Sequence, residues 1–222
     1  MPVIKTGKYE ITMSKASDIY DKFVREEVKN KLIKKENNEG YIKSIYDHMK
    51  IYEPEIMVNC SFEDFAVVMA GFSAGRYRFG EKAQIEVIKE KFPNLEELSN
   101  RGKDSLSLSK NNNILLINNK KSNISGIKTF DAIDRSNHIL FMLKTVDIGS
   151  FSESKGGGHQ DNVENEIKLL LSVIEDNNLI LENEEYKLFI VIDGRLANKY
   201  ITNCSKLIRN LEKIKICQSE NL

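Results

Sequence analysis

The segment YKLFIVIDG at residues 186–194 carries five consecutive apolar residues and ends in an Asp-Gly pair. A β-strand that is apolar on both sides has to be covered on both faces of its sheet. Sheets of that kind are found in layered folds in which helices pack on both faces. This segment favours an α/β fold.

The rest of the second half alternates between strand and helix patterns. A short strand is predicted at NNILLINN (112–119), and two strands joined by a tight turn at RSN are predicted at GIKTFDAID (126–134) and HILFMLKTVDI (138–148). Helices are predicted at QDNVENEIKLLLSVIEDN (160–177) and at ITNCSKLIRNLEKIKI (201–216). Strands that alternate with helices in this way indicate an α/β core over residues 101–222.

Helical spacing dominates the first half of the chain. The first helix starts at a cap, Ser14 or Ser17, and the third starts at Ser61. The second helix is predicted at EGYIKSIYDHMKIYEPE (39–55) and the fourth at FGEKAQIEVIKEKFP (79–93). No internal repeat or linker separates the halves, so we expect one domain over residues 1–222, with residues 1–100 mainly helical.

Composition excludes several broad classes of protein. The 33 Lys and Arg residues balance the 33 Asp and Glu residues, so a nucleic-acid site has to be a local basic patch. Cys60, Cys204 and Cys217 are scattered without a CxxC pair, which favours reduced thiols over a zinc site or disulfides. The chain has no apolar run of membrane-spanning length and starts without a signal-peptide pattern. We expect a cytoplasmic protein with neither zinc nor a membrane partner.

Lys144 is the unusual residue of the second half, because it interrupts the apolar strand HILFMLKTVDI. A lysine and two carboxylates at the edge of a sheet can cut a phosphodiester: the acids hold Mg²⁺, and the lysine orients the nucleophile or stabilises charge. Asp131 lies about one hairpin away on the preceding strand and suits the first carboxylate. Asp134 competes for that role, but its place beside RSN is more typical of a turn residue.

The segments FDAID…ILFMLKT, SKGGGHQDNVENEI and LFIVIDGR, in this order, resemble the PD-(D/E)XK nucleases and within them the type II restriction endonucleases. The resemblance covers roughly residues 126–195. It implies a restriction-endonuclease-like central mixed sheet flanked by helices, Asp131 as the metal-binding aspartate and Lys144 as the catalytic lysine. The backbone carbonyl of Leu143 is a further oxygen donor for the metal.

One position departs from the family pattern. The family has an acidic residue two before the lysine, where this chain has Met142, and a thioether does not suit a hard cation that prefers oxygen. The second acid has to come from elsewhere, or the protein is inactive. Helical phase places Glu81 on the buried face of its helix and Glu86 away from it, so we rank Glu81 first. Glu166, in the helix after Lys144, ranks second.

The glycine-rich stretch KGGGHQDN has several interpretations: a DNA-contacting loop, a phosphate cradle at a helix N-terminus, a plain connector, or a metal site, which a single His and a single Asp without partners disfavour. We favour DNA contact, because lysine suits phosphate and Asn or Gln suits the adenine edge. Two arginines before the fourth helix also suit a phosphate backbone. The predicted DNA-binding residues are Arg76, Arg78, Lys155, His159, Gln160 and Asn162.

The resemblance implies a Mg²⁺-dependent type II restriction endonuclease of a restriction-modification system, which cuts a palindromic site in double-stranded DNA. A two-fold symmetric site is matched by a homodimer, or by a tetramer in which two dimers pair. We expect residues 1–100 to mediate dimerisation and to make part of the DNA contact. The alternatives are a repair or recombination nuclease that recognises DNA structure, a catalytically inactive DNA-binding relative, and a helical interaction protein with an incidental hairpin.

Overall fold

The computed structural model describes residues 3–6, 9–12, 14–27, 36–73, 79–99, 105–111, 114–118, 122, 124–146, 157–174, 178–209 and 212–222. These residues form an α/β fold with a mainly helical first half, as the sequence predicts. No helix within the described ranges combines the length and the apolar character that crossing a bilayer requires.

Two of the five helices described in the first half, the first and the fourth, start directly after serines that the sequence predicts as caps. The five helices are α1 (Lys15–Glu27), α2 (Glu36–Tyr52), α3 (Pro54–Met57), α4 (Phe62–Ser73) and α5 (Phe79–Lys89). The Oγ of Ser14 accepts a hydrogen bond from the N–H of Ser17 (3.3 Å), and the Oγ of Ser61 accepts one from the N–H of Asp64 (3.0 Å). Each hydroxyl satisfies an N–H that the first helical turn leaves without a partner.

The second half supplies the strands and two further helices. The strands are β3 (Glu96–Glu97), β4 (Ser107–Asn111), β5 (Ile114–Asn118), β6 (Ala132–Asp134), β7 (Ile139–Thr145), β8 (Leu179–Leu181), β9 (Glu184–Asp193) and β10 (Ile214–Cys217). They form one mixed sheet in the order β3-β6-β7-β9-β8-β5-β4, with β10 beside β9. The helices are α6 (Gly157–Ile174), which lies between β7 and β8 in the chain, and α7 (Ala197–Ser205). The N-terminal strands β1 (Val3–Thr6) and β2 (Tyr9–Thr12) form a separate hairpin.

Strand β9 lies in the interior of the sheet, as its apolar sequence predicts. It runs parallel to β7 from Lys187 to Asp193 and parallel to β10 on its other side. Strand β6 pairs with β7 in the opposite direction, so the predicted hairpin around residues 135–138 is present.

The two faces of β7 are buried against different helices. Leu140 and Met142 belong to the core cluster that contains Ile167 and Leu170 of α6. Phe141 and Leu143 belong to the cluster that contains residues of α5, such as Ile88. Because side chains alternate along a strand, even-numbered residues of β7 face α6 and odd-numbered residues face α5.

Three expectations about elements are wrong. The final helix was predicted to run to residue 216, but α7 ends at Ser205 and Ile214–Cys217 is a strand. The alternation of Ile214 and Ile216 also fits a strand, and pairing with β9 satisfies the backbone groups of both strands. Only residues 132–134 of the predicted strand 126–134 pair with β7. The strands β1, β2, β3, β4 and β8 and the short helix α3 were not predicted.

Candidate active site

Asp131 and Lys144 lie on the same face of the sheet, beside α6. Ala132 pairs with Phe141 in the β6–β7 register, so the preceding residue, Asp131, lies across from Met142. Lys144 is two residues further along β7 and has the same orientation as Met142. The hairpin brings the predicted aspartate and lysine to the same face.

The carboxylate of Asp131 extends the pairing of β7 beyond the end of β6. Its backbone N–H donates to the carbonyl of Phe141 (2.9 Å), and its Oδ2 accepts a hydrogen bond from the N–H of Leu143 (2.8 Å). The side chain is buried, with the residue 8% exposed. Because the N–H and C=O of one strand residue point to the same side, the carbonyl of Leu143 also lies on the Asp131 edge. This is the arrangement that the predicted role of Leu143 requires.

Asp134 holds the hairpin turn. Its Oδ1 accepts a hydrogen bond from the backbone N–H of Asn137 (3.0 Å), and its Oδ2 accepts one from the Nδ2 of the same residue (2.8 Å). It is fully buried at the start of the turn. These bonds match the predicted turn role, which leaves Asp131 as the better candidate for a metal ligand.

Glu166 of α6 is the carboxylate that contacts Lys144. The Nζ of Lys144 lies 2.7 Å from the Oε2 of Glu166, and the side chains are only 13% and 21% exposed. The Oε1 of Glu166 pairs with the Nζ of Lys128, which is mostly exposed and lies three residues before Asp131. Burial alone would raise the pKa of Glu166, but the hydrogen bonds and charges of Lys128 and Lys144 outweigh it, and the pKa is lowered from 4.5. Glu166 is ionised at neutral pH.

Glu81 belongs to α5, which packs on the opposite face of β7. It lies in the first turn of α5 and is half-buried, while Glu86 is exposed as predicted. A Cβ added at Gly80 would lie 2.8 Å from the Cγ2 of Thr145, so α5 approaches β7 closely there. Thr145 is an odd-numbered residue on the α5 face, whereas Asp131 and Lys144 lie on the α6 face. This geometry favours Glu166 over Glu81 as the second acid.

A buried polar cluster lies behind the site, on the α5 face of the sheet. It was not predicted. The Nε2 of Gln84 donates to the backbone carbonyl of Lys144 (2.9 Å) and to the Oδ2 of Asp193 (3.0 Å). The N–H of Ser219 lies 3.3 Å from the Oδ1 of Asp193. Burial raises the pKa of Asp193, although the hydrogen bonds from Gln84 and Ser219 oppose this shift. The signal was present in the sequence: Gln84 lies on the apolar stripe of α5, and Asp193 directly follows five apolar residues.

The predicted DNA-binding residues are only partly described. Arg76, Arg78 and Lys155 lie outside the described residues. His159, Gln160 and Asn162 lie in the first turns of α6, which begins at Gly157 and not at Gln160 as predicted. The stretch HQDN is therefore helical and not a loop, and its backbone can form helical hydrogen bonds despite the preceding glycines.

Within the described residues, no group of three or more His, Cys, Asp or Glu side chains is arranged to hold a metal ion. Asp131, Glu166 and the carbonyl of Leu143 instead offer two carboxylates and one backbone oxygen. Mg²⁺ is commonly bound in this way, through one or two carboxylates together with water and substrate phosphate. The donor set fits that metal by chemical type.

Comparison with protein-family models, curated proteins and solved structures finds no match for this chain.

Proposed function

We propose that this protein is a Mg²⁺-dependent deoxyribonuclease whose active site consists of Asp131, Lys144 and Glu166. The observation that carries the proposal is the position of the buried lysine: Lys144 is paired with Glu166 (2.7 Å) and directly follows Leu143, whose N–H is bound by Asp131. Removing the charges of Lys144 and Glu166 from water costs free energy that their own attraction repays only in part. The presence of this costly charged pair is explained if the ammonium group of Lys144 acts on a charged substrate.

Each residue has a separate part in the reaction. Asp131, Glu166 and the carbonyl of Leu143 would hold Mg²⁺, which supplies charge neutralisation of the phosphate and a more acidic water when bound. The ammonium group of Lys144 orients the attacking water and stabilises the negative charge that develops on the phosphate. Attack of the water oxygen on phosphorus breaks the P–O3′ bond, and the departing oxygen takes up a proton. The products are a 5′-phosphate and a 3′-hydroxyl.

The finer proposal is a type II restriction endonuclease that cuts both strands of a palindromic site as a homodimer or a tetramer. It is supported by the order of the segments between residues 126 and 195 and by the hairpin that presents Asp131 and Lys144 together. A nuclease that recognises DNA structure, as in repair or recombination, uses the same chemistry and differs only in the choice of substrate. One observation favours an inactive DNA-binding relative: Met142 is buried at the position where the family has an acid.

The test is a digest of large viral DNA with the purified protein in Mg²⁺ and in EDTA, beside Lys144→Ala. Discrete Mg²⁺-dependent fragments that disappear in the variant support a sequence-specific nuclease, whereas a smear points to cutting by structure or without specificity. Binding of DNA with no cutting on templates of different base composition would favour the inactive relative. Absence of DNA affinity even at low salt would contradict both.

The chain offers a matched control on the same helix. Glu164 and Lys168 form an ion pair of 2.7 Å on the side of α6 away from Glu166, where Glu164 also interacts with Asn203 of α7. Lys168→Ala removes a lysine from an ion pair of the same length without touching the proposed site. We expect it to cut like the wild type.

A further inference from the structure

An exposed apolar corner connects α2 to α3. Four large apolar side chains lie within eight residues of each other and are 68–74% exposed: Ile51, Tyr52, Ile56 and Val58. The other large apolar residues that are exposed in the described part of the chain, Leu169 and Leu207, are 36% and 39% exposed. Soluble monomers seldom expose several large apolar side chains together, and such clusters mark interaction surfaces.

The backbone of this corner is fixed by one buried side chain and by one hydrogen bond from α2. Met57 is buried, and its N–H bonds to the carbonyl of Glu53 (3.2 Å). The hydroxyl of the buried Tyr46 donates to the carbonyl of Cys60 (2.8 Å), just beyond the corner. The exposure of the four side chains is thus a property of a fixed corner that Met57 and Tyr46 hold from inside.

The charges around the corner indicate what can cover it. Lys50 lies at the end of α2, with its Nζ 4.8 Å from the centre of the Tyr46 ring. Glu53 and Glu55 follow in the chain, are exposed, and make no side-chain ion pair with any described residue. The two acids disfavour a DNA backbone or an anionic lipid surface, which carry the same sign of charge. Basic and acidic groups on one apolar surface are instead complementary to the same surface on a second copy.

We propose that the corner formed by Ile51, Tyr52, Ile56 and Val58 is the centre of a two-fold interface between two copies of this chain. A two-fold interface uses the same surface twice, so Lys50 of one copy meets the partner's Glu53 and the partner's Glu55. The inference deepens the proposed function, because a nuclease that cuts both strands of a duplex at a symmetric site needs two copies of its active site.

The first test is sedimentation equilibrium from ~1 to ~100 μM protein, the range in which micromolar self-association is visible. We expect the wild-type protein to dimerise and Ile56→Asp to raise the dissociation constant at least ~100-fold, because a symmetric dimer carries the charge twice. The control is Leu207→Asp, which places the same charge on an exposed leucine outside the corner and should leave dimerisation unchanged. A monomeric wild-type protein, or an Ile56→Asp variant that dimerises normally, overturns the proposal.

A charge exchange tests the pairing independently of the apolar residues. Lys50→Glu and the double variant Glu53→Lys, Glu55→Lys each place like charges across the two-fold axis, so each should dimerise at least ~10-fold more weakly. Mixed in equal amounts they carry opposite charges, and native mass spectrometry should show mainly heterodimers. A mixture without preferred heterodimers overturns the two-fold pairing. These measurements use neither DNA nor metal, so an inactive dimer would contradict only the proposed nuclease activity. An active monomer would contradict the proposed interface and the dimeric form of the finer proposal, but not the nuclease chemistry.

Discussion

Lys144 and Glu166 form an ion pair of 2.7 Å between β7 and α6, and Lys128 occupies the other oxygen of the same carboxylate. Of the two acids considered for the position left by Met142, Glu166 is the one that shares a face of the sheet with Lys144. We therefore expect substitutions of Glu166 and of Glu81 to have different effects on DNA cleavage.

Glu166→Gln should lower the rate of DNA cleavage by about 100-fold or more, the size of effect typical of losing a group that stabilises charge in the transition state. Glu81→Gln should lower it by less than ~10-fold, because α5, the helix that carries Glu81, packs on the opposite face of the sheet. Single-turnover cleavage at saturating Mg²⁺ measures both, with Glu164→Gln, on the side of α6 away from Glu166, as the control. The reverse order of effects would assign the second acid to Glu81.

The pH dependence of stability should carry a contribution from Asp193. Burial raises the pKa of Asp193 above its ordinary value of 3.8, so the folded protein binds this proton more tightly than the unfolded chain. The contribution is most favourable below pH 3.8 and is lost as the pH rises through the folded pKa. We expect the free energy of unfolding of Asp193→Asn, measured by urea titration from acid to neutral pH, to lack this decline. The same slope in the variant and the wild type would mean that another group is responsible.

Gln84→Leu should destabilise the protein by about 1–3 kcal/mol, because the buried carboxylate of Asp193 and the carbonyl of Lys144 both lose a hydrogen-bond donor. Glu86→Leu changes an exposed residue of the same helix and should stay within ~0.5 kcal/mol of the wild type. Chemical denaturation measures both. If Gln84→Leu is as stable as the control, the free energy gained by burying the leucine side chain offsets the loss of the two hydrogen bonds.

Gly80→Ala should have opposite effects in two backgrounds. In the wild type the new Cβ would lie 2.8 Å from the Cγ2 of Thr145, and relieving such an overlap costs about 1–3 kcal/mol. In a Thr145→Ala background the obstacle is absent, so the higher helix propensity of alanine should stabilise the protein by up to ~1 kcal/mol. Thermal unfolding of the four proteins in this cycle gives the coupling between the two positions. If the changes in stability caused by the two substitutions add up in the double variant, α5 shifts freely away from β7.

Much of the fold could be predicted because local patterns and tertiary structure agree. The apolar run in β9 is buried on both faces, and Ser14 and Ser61 begin α1 and α4 as their cap positions suggest. The strand at Ile214 could not be separated from the preceding helix, because a four-residue strand depends on its partner. Its pairing with Leu188 is a contact between residues far apart in the chain.

The candidate site shows the same limit. The hairpin that joins Asp131 to Lys144 is local, and the sequence could predict that it brings these two residues to one face. The choice between Glu81 and Glu166 is not local. Helical phase indicates which side of each helix is buried, but not which face of the sheet each helix covers. That information comes only from the packing of α5 and α6 on opposite faces of β7.

The hydrogen bond from the N–H of Leu143 to the Oδ2 of Asp131 makes one backbone amide a reporter for the site. The proton of this amide is held by a side chain in place of a neighbouring strand, so its magnetic resonance frequency depends on the charge state of that carboxylate. Anything that draws electron density from Asp131, whether a proton or a bound cation, will weaken the hydrogen bond and move the Leu143 signal. A single resonance can thus follow occupation of the site without any substrate being turned over.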